Sequence, residues 1–489
     1  KLIVYKTLTY ASDKLFISYP LSDNTGSSRY PASVLTQIRN MFKNEILSSA
    51  SDKDIVFYSS TPQAAYYNYI QNFSRSDSKI ESLRTVLKDY PYYTAKIDYL
   101  KKVSSQKEFH IEDANLIKRI YTDSLNISAT GIEEFNLCHF KFFCNSGLKL
   151  KVRRKRQIGS LEQGNLIHQC LECVLSSCKN KEEFDKLSRN QISKIIEKCA
   201  DDYFESNMGG VIKRNARLES NLKRIKENIF KIISHLQNEL KQSEFRPINF
   251  EFNINEKGIA NLTGDNGIEI VIRGVIDRVD IYESNGEKYI RVIDYKTGKK
   301  IFSMSSLLYG INLQMLLYMF TITGSGGAYS DCNPAGVLYM PSGEIVCGRD
   351  RDESDNMEEY LNKHYKMNGV VLNDRAVLNA MEKDIQGIYI PAKLLKGDTG
   401  DGELLLNKRS SSCLTSSQFK KLRQHTEKII IDVCNELYSG NIDADPLVIS
   451  GGSPCDYCDY WSVCGNVPCE KYREADKNAE EKMLKIISD

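Results

Sequence analysis

A chain of 489 residues, 41% of them hydrophobic and 27% charged, has the composition of an ordinary globular protein and is long enough for two or three domains. Its 66 Lys and Arg residues balance 64 Asp and Glu residues, so any DNA-binding surface must be local rather than a property of the whole chain. No stretch approaches the roughly 18 apolar residues that a membrane-spanning helix needs, which excludes an integral membrane protein of the helical type.

The first region, residues 1–125, is predicted to be a small fragment of an α/β domain followed by helices. Its first twenty residues read as a helical turn and then a strand, LFISYP, with most of the sheet missing. From about Tyr30 to Tyr121, apolar residues recur at a spacing near 3.6 with few strand signals, which predicts helices.

The pattern changes at Asn126, and we assign residues 126–489 to a second domain. Thr130 followed by Glu133 is a capping-box pattern that predicts the start of a helix, GIEEFNLCHFKFF. A second helix is predicted from about Leu161 to Ser177, and helical character continues to about Leu240. Between the first two helices lies a basic run that tracks a phosphate backbone or is an ordinary solvated loop: Lys149, Lys151, Arg153, Arg154, Lys155 and Arg156.

Strands are predicted next. PINFEFNI alternates strictly, which places its apolar residues on one face. Two longer strands, IEIVIRGVIDRVDIY and KYIRVIDYKTG, flank Asn285-Gly286, the strongest short-range hairpin signal. A helix from Ser305 to Thr321, a strand in GVLYMPSG and a long helix from Ser416 to Ser439 follow before a Cys-rich tail.

The predicted hairpin brings two carboxylates together. A two-residue turn at Asn285-Gly286 places Asp294 directly opposite Asp277, with Lys296 on the same face. The two carboxylates repel each other unless a cation lies between them, and Mg²⁺ prefers carboxylates, substrate phosphate and water. Lys296 can then orient or deprotonate the attacking water, or stabilise developing negative charge. The alternative is a solvated salt-bridge network: Asp277, Arg278, Asp294 and Lys296.

Three more polar side chains occupy helical positions. His168 borders the apolar stripe of its helix, where a lone histidine is more often a satisfied boundary residue than a ligand. Gln314 and Tyr318 are four residues apart and therefore share one helical face. From the pattern alone, this pair is an ordinary polar edge.

The tail has the cysteine spacing of a metal site. The chain is too large and too rich in lysine for a small disulfide-rich secreted module, so clustered cysteines indicate metal ligands. Three of its 14 cysteines follow a C-x₂-C-x₅-C pattern: Cys455, Cys458 and Cys464. A tetrahedral Zn²⁺ site or a [4Fe–4S] cluster needs a fourth thiolate. Cys469, Cys138 and Cys144 are the candidates, and composition does not choose among them.

Four segments, GNLIH, GVIDRVD, IDYKTG and QMLLY, resemble in order and spacing the nuclease domains of RecB-like helicase–nucleases, which are of the PD-(D/E)XK type. The resemblance implies a restriction-endonuclease-like α/β fold, a mixed-sheet core with large helical additions. It also implies Mg²⁺ (or Mn²⁺) ligands: His168, Asp277 and Asp294. Lys296 would be the catalytic lysine, and Gln314 and Tyr318 would support the catalytic site and contact DNA.

The same resemblance implies an iron–sulfur staple. In this family, one upstream cysteine and a later C-x₂-C-x₅-C group bind a [4Fe–4S] cluster, and zinc is the alternative. The implied ligands are Cys138, Cys455, Cys458 and Cys464. The cluster would clamp both ends of the domain together, like a crosslink that closes a long loop. The family often has proline after the upstream cysteine, where this chain has His139.

The opening segment KTLTYASDKLFISYP resembles the last motif region of a helicase-like domain, with Tyr10 where an arginine is typical of active helicases. The whole layout resembles the C-terminal part of an AddB (RexB) subunit, and the chain, which begins with Lys1, is expected to be a truncated form without its helicase-like body. No Walker A motif is present, so ATP hydrolysis by this chain alone is not expected.

The AddB-type resemblance implies a Mg²⁺-dependent exonuclease that cuts the 5′-terminated strand of DNA. It would work in the bacterial cytoplasm, without a membrane partner, as a heterodimer with an AddA-type subunit that processes double-strand breaks for recombinational repair. Two alternatives remain: a catalytically silent DNA-binding scaffold, and a stand-alone exonuclease of the CRISPR-associated type. The intact carboxylates and lysine argue against the scaffold, and the helicase-like opening segment argues against the stand-alone enzyme.

Overall fold

The computed structural model describes most of the chain: residues 2–15, 17–20, 22, 28–41, 57–73, 78–105, 109–151, 159–208, 216–254, 262–298, 300–324, 326–344, 357–394, 412–449, 451–464 and 471–488. The chain divides into two compact units, Lys1–Val103 and Ser104–Asp489. We predicted the boundary at 125/126. It lies earlier because the strand Ser124–Ser128 and the helix Ala114–Tyr121 before it pack in the second unit.

The first unit is helical, as predicted. Its helices are α1 (Leu2–Thr9), α2 (Ser33–Met41), α3 (Pro62–Gln71), α4 (Ser78–Leu87) and α5 (Pro91–Ser105), whose last residues cross the boundary. A small apolar core joins α3, α4 and α5. The strand predicted in LFISYP is wrong: its described residues have no regular structure. A strand needs a neighbour for its backbone hydrogen bonds, and no sheet forms among the described residues of this unit.

The second unit contains the remaining helices and all the strands of the described residues. The helices are α6 (Ala114–Tyr121), α7 (Ala129–Leu137), α8 (His139–Phe142), α9 (Ser160–Ser176), α10 (Lys181–Asp185), α11 (Arg189–Met208), α12 (Ala216–Gln242), α13 (Met304–Leu307), α14 (Gln314–Thr323), α15 (Met357–Tyr365), α16 (Arg375–Met381), α17 (Ser416–Ser439) and α18 (Ala479–Ser488). None of the helices described in the chain is both long enough and apolar enough to cross a membrane.

The strands are β1 (Ser124–Ser128), β2 (Arg246–Asn253), β3 (Leu262–Thr263), β4 (Glu269–Arg273), β5 (Val275–Ser284), β6 (Glu287–Lys296), β7 (Asn333–Pro341), β8 (Asn368–Leu372), β9 (Cys413–Leu414), β10 (Leu447–Val448) and β11 (Arg473–Glu474). Within the described residues, the main sheet has the order β2-β5-β6-β7-β8-β9. It is mixed, because β6 and β7 run parallel while β5 and β6 are antiparallel. Helices α13 and α14 connect β6 to β7, and α14 is buried along most of its length.

The hairpin β5–β6 has the register that its turn predicts. Asn285 (φ 52°) and Gly286 (φ 82°) both adopt positive φ, as a two-residue type I′ turn requires. The pairs run from Ser284 with Glu287 to Arg278 with Ile293 without a shift. When this register is continued by one residue, Asp277 falls opposite Asp294, as the turn predicts.

Two predicted elements are interrupted in the structure. The single strand predicted before the turn is split at Gly274, and its first half, β4, pairs with β1 and β3 in a separate sheet. The helix predicted from Ser305 to Thr321 is split into α13 and α14 by a segment with two residues of positive φ, Gly310 and Asn312. Helical backbone requires negative φ, so the segment cannot continue the helix.

The helix before the basic run also differs from its prediction. It begins at Ala129, because the hydroxyl of Ser128, not that of Thr130, accepts a hydrogen bond from a backbone N–H of the first turn, that of Gly131 (3.1 Å). It then breaks at Cys138, whose backbone is extended. By contrast, α17 has the predicted bounds, Ser416–Ser439, and is capped by Thr415 and Gln418.

Candidate active site

Three carboxylates lie in a row across strands β2, β5 and β6. The β2–β5 register on both sides of Glu251 places this residue opposite Asp277, and the β5–β6 register places Asp277 opposite Asp294. The backbone N–H of Tyr295 donates to Asp277 Oδ2 (2.7 Å) and holds this carboxylate in place. Like charges directly opposite each other destabilise neighbouring strands, so this row requires positive partners.

His168 on α9 lies against the row. Its Nε2 is 2.8 Å from the carbonyl oxygen of Tyr295, and its Nδ1 is 3.2 Å from Asp277 Oδ2 and 3.8 Å from Glu251 Oε1. Burial lowers the pKa of His168, but hydrogen bonds to Asp277 and Glu251 outweigh burial and raise the pKa to about 10. His168 is therefore surrounded by carboxylate and carbonyl oxygens, which together with imidazole nitrogen are ligands of divalent cations.

Asp294 is the most buried member of the row, with 2% of its surface exposed. Its Oδ2 lies 2.7 Å from Lys296 Nζ, yet it accepts no hydrogen bond of regular geometry from any described residue. Burial and the charge of Asp277 raise the pKa of Asp294 to about 6, although Lys296 opposes them. A buried carboxylate oxygen with an unused acceptor position fits a cation, so the residues present suit a divalent metal ion.

Gln314 and Tyr318 support this carboxylate from the first turns of α14. Gln314 Nε2 donates to Asp294 Oδ1 (3.4 Å), and a hydrogen bond joins Gln314 to Tyr318. Tyr318 is 4% exposed, and burial raises its pKa to about 12. The pair therefore forms a chain of contacts that ends at Asp294, which agrees with the predicted supporting role; contact with DNA stays a prediction.

The salt-bridge network considered as the alternative is wrong for Arg278. Lys296 does pair with Asp294, but Arg278 points to the opposite face of β5, where it is fully buried. There its Nη2 donates to Asp280 (2.6 Å) and Glu239 (3.2 Å), and Arg291 binds the same two carboxylates. The carboxylate row is consequently left with Lys296 and His168 as its close positive partners among the described residues.

Two further residues near the site were not identified from the sequence. Lys300 lies with Nζ 3.9 Å from Glu133 Oε2 and 5.2 Å from the ring centroid of Tyr339, and burial lowers its pKa. Glu133 comes from α7. Lys300 could have been predicted, because it follows Lys296, the last residue of β6, by four residues. Glu133 approaches the site only through the packing of α7.

Glu251 was also missed. It stands between Phe250 and Phe252 in β2, so the predicted alternation already turns it away from the apolar face. Which residue it faces depends on the pairing of β2 with β5, which contains a register shift between Pro247 and Asn249. That shift has no signal in the sequence.

The cysteines of the tail lie within electrostatic range of the two upstream cysteines, Cys138 and Cys144. Burial raises the pKa of Cys138 to about 12, and the charge of Cys455 contributes. Burial raises the pKa of Cys144 to about 11, with contributions from Cys458 and Cys464. Both upstream cysteines are thus within electrostatic range of the tail, and Cys469 lies outside the described residues.

The tail is tied to the upstream segment by other contacts. The hydroxyl of Tyr460 donates to Leu150 O (3.4 Å) and to the side chain of Asn145. The residue that replaces the usual proline, His139, is buried and its Nδ1 lies 2.7 Å from Asp445 Oδ1. Asp445 also binds Arg473 (2.9 Å). We call His139, Asp445 and Arg473 the clasp, because they join the two ends of the unit.

The basic run is only partly described. Lys149 and Lys151 are exposed, and residues 153–156, which contain its other four basic side chains, lie outside the described residues. The run remains a predicted DNA contact or a solvated loop.

Comparisons with known proteins agree with this geometry. Residues 126–465 match the family described as the PD-(D/E)XK nuclease superfamily. The chain is 27% identical over 508 residues to the B subunit of the ATP-dependent helicase/deoxyribonuclease of Thermoanaerobacter sp. (strain X514), covering 99% of this chain and 44% of the relative. The protein of the same name from Clostridioides difficile (strain 630) is 27% identical over 520 residues, with 99% and 44% covered.

A third relative of that name, from Clostridium botulinum (strain Langeland / NCTC 10281 / Type F), is 29% identical over 507 residues, with 98% of this chain and 43% of the relative covered. The chain thus spans less than half the length of the curated relatives it matches. The predicted PD-(D/E)XK fold and the resemblance to an AddB-type subunit are confirmed. The iron–sulfur staple stays a prediction.

Proposed function

Because this chain belongs to the PD-(D/E)XK nuclease superfamily, we propose that it is a Mg²⁺-dependent deoxyribonuclease that cuts the 5′-terminated strand of unwound DNA. The observation that carries this proposal is the pairing of Asp277 with Asp294 on a hairpin that also presents Lys296, with His168 facing it. A DNA-binding scaffold has no need of this arrangement, which costs stability unless a cation is bound.

The residues that would hold the cation are His168, Asp277 and Asp294. When bound, Mg²⁺ (or Mn²⁺) would supply Lewis-acid activation of the scissile phosphodiester and of water. Lys296, whose ammonium lies 2.7 Å from Asp294, is placed to orient the attacking water or to stabilise the negative charge that develops on the phosphate.

The other residues of the site hold these groups in position. Gln314 fixes one oxygen of Asp294, and Tyr318 fixes Gln314. The N–H of Tyr295 fixes Asp277, and the carbonyl oxygen of the same residue binds His168. Catalysis by preorganised groups depends on such contacts, because an error of about 1 Å in placement costs a large part of the rate.

We extend the proposal to a [4Fe–4S] cluster on Cys138, Cys455, Cys458 and Cys464. One observation supports it: the charge of Cys455 contributes to the raised pKa of Cys138, so these two cysteines lie within electrostatic range of each other. Zinc remains the alternative metal for this set of thiolates.

The names of the relatives support a proposed role within a helicase–nuclease. Each is named as the B subunit of an ATP-dependent helicase/deoxyribonuclease, and this chain aligns with less than half of each. The corresponding proposal for this chain is a heterodimer with an AddA-type motor subunit that processes double-strand DNA breaks for recombinational repair.

The test is cleavage of end-labelled single-stranded DNA with Mg²⁺ or EDTA, by the wild type, Asp294→Ala and the control Asp331→Ala, which removes an exposed carboxylate paired with Lys288. We expect Mg²⁺-dependent cleavage by the wild type and the control only. If the folded wild type is inactive alone, the assay is repeated with the AddA-type subunit. Continued inactivity at normal DNA binding would overturn the nuclease and favour the scaffold.

A further inference from the structure

Glu251 lies beside the ligands of the proposed metal site, although it belongs to none of the sequence motifs that predicted the site. We propose that Glu251 is a further metal ligand, which forms with His168 and Asp277 a cation-binding group beside Asp294. This inference rests on the proposed function, because it assigns an additional ligand to the metal ion on which that function depends.

The first argument is geometric. The ligand atoms of His168, Glu251 and Asp277 all lie within 4.8 Å of one another, and no other group of three or more His, Cys, Asp or Glu residues in the described part of the chain meets this condition. Such distances are typical of oxygen and nitrogen atoms around one divalent cation, whose ligands lie at about 2.0–2.6 Å from the ion. The three residues come from different elements, α9, β2 and β5, which converge here.

The second argument is an unused acceptor beside this group. Asp294 is 2% exposed, and its Oδ2 accepts no hydrogen bond of regular geometry among the described residues. Lys296 Nζ lies 2.7 Å from this oxygen, but a carboxylate oxygen has two acceptor positions, and a buried one that makes no regular hydrogen bond can also bind a cation. Asp294 is also within electrostatic range of His168, a member of the three-residue group.

The third argument is the balance of charge. Glu251, Asp277 and Asp294 bring three negative charges together on adjacent strands. Glu172, one turn after His168 on α9, lies nearby, because burial and the charge of Glu251 together raise the pKa of Glu172. Lys296 and His168 supply the close positive charges. A further carboxylate beside two that already repel each other lowers stability. When a divalent cation is bound, the same carboxylate attracts the cation and raises stability.

The backbone conformation of Glu251 indicates a role in ligand binding rather than in packing. Its φ is +43°, a conformation that residues with a Cβ rarely adopt within a strand. The side chain is about one-third exposed, so its burial does not account for this conformation. Unfavourable backbone of this kind is concentrated at sites where a side chain must be aimed at a ligand.

The experiment measures metal binding rather than cleavage. Mn²⁺ binding to the whole chain is titrated by electron paramagnetic resonance for the wild type, Glu251→Gln and Glu172→Gln. The glutamine at 172 is the matched control, since it removes a nearby negative charge that does not belong to the three-residue group. Loss of a partner in a metal site's outer shell lowers affinity about 10- to 100-fold, so loss of a direct ligand in Glu251→Gln should weaken Mn²⁺ binding by at least about tenfold, against less than about threefold for Glu172→Gln.

A second readout protects the result against misfolding. Glu251→Gln relieves repulsion, so without metal it should melt at or above the temperature of the wild type, while Mn²⁺ should raise its melting temperature less than that of the wild type. Equal affinity and equal Mn²⁺ stabilisation for Glu251→Gln and the wild type would overturn this inference and leave the nuclease proposal intact. If the wild type bound no Mn²⁺ and Asp277→Asn behaved identically, the metal-dependent function itself would fail together with this inference.

Discussion

The aromatic ring of Tyr318 occupies the space that a side chain at position 274 would need. A Cβ on Gly274 would lie 2.4 Å from Tyr318 Cε1, closer than carbon atoms can approach. The glycine thus lets α14 settle against the start of β5, and through Gln314 this packing reaches Asp294.

Gly274→Ala is therefore expected to destabilise the protein and to lower cleavage. Overpacking of a filled core costs about 1–3 kcal/mol, measured as the free energy of unfolding in urea. Tyr318→Leu combined with Gly274→Ala should recover part of this stability, because the smaller side chain makes room for the methyl group. If Gly274→Ala alone were as stable as the wild type, the close approach of Tyr318 to position 274 would not require a glycine there.

Lys296→Met should abolish most of the cleavage and preserve metal binding. Lys296 is placed to act on the attacking water or the developing charge and is not a ligand, and loss of one such stabilising group costs about 10²–10³ in rate. Single-turnover cleavage and Mn²⁺ titration separate the two effects. A variant that cleaves at the wild-type rate would show that the ion pair with Asp294 is structural.

Substitutions in the buried ion-pair network on the opposite face of the hairpin are expected to lower stability. Arg291→Met removes one cation and leaves Arg278 as the close ion-pair partner of Asp280 and Glu239 in the described part of the chain. All three residues are almost completely buried. Breaking a buried ion pair from one side costs about 3–5 kcal/mol. Glu239→Gln should lower the free energy of unfolding much less in the Arg291→Met variant than in the wild type. A double-mutant cycle of unfolding in urea measures this difference. Additive effects would mean that these residues do not act as one network.

Because the pKa of His235 is lowered, we expect the protein to lose stability in mild acid. Burial lowers the pKa of His235 to about 4, whereas an unfolded histidine has a pKa of about 6.5. Between these values the unfolded chain binds a proton that the folded chain does not, so stability present above pH 6.5 is lost as the pH falls towards 4, by at most about 3 kcal/mol. His235→Phe, which still fits between the rings of Tyr365 and Tyr389, should lack this component of the pH dependence. Identical pH profiles for the variant and the wild type would contradict the assignment.

The two upstream cysteines should differ in their effect on the proposed cluster. Cys138→Ser is expected to lose iron and the broad visible absorbance of anaerobically purified protein, because it removes a proposed ligand. Cys144→Ser, at a cysteine that is also buried, is the matched control and should retain both. The reverse result would make Cys144 the fourth ligand, and stoichiometric zinc without iron would exclude the cluster.

The parts of the site that could be predicted are those set by local chemistry. The Asn285-Gly286 turn determines the pairing of β5 with β6 because two residues of positive φ suit only a narrow class of turn, and the opposition of Asp277 and Asp294 follows from it. The helix bearing His168 was predictable from its apolar spacing.

The parts that escaped prediction depend on contacts between distant segments. Glu251 faces Asp277 only after the register of β2 shifts, and the close approach of Tyr318 to Gly274 depends on the packing of α14. The resemblance implies that Cys138 is a ligand, but the break in the helix at that residue was not predicted. There the extended backbone directs His139 to Asp445, a partner 306 residues away.

That separation has a consequence for biosynthesis. The clasp joins His139 to Asp445 and Arg473, and Arg473 also donates to the carbonyl oxygen of Asn136, 337 residues earlier. A nascent chain cannot form these bonds until residues 445 and 473 have left the ribosome, however early the sheet assembles. Completion of the nuclease unit therefore waits for the segment that contains Asp445 and Arg473, and a chain truncated before residue 445 would have the carboxylate row but not the clasp.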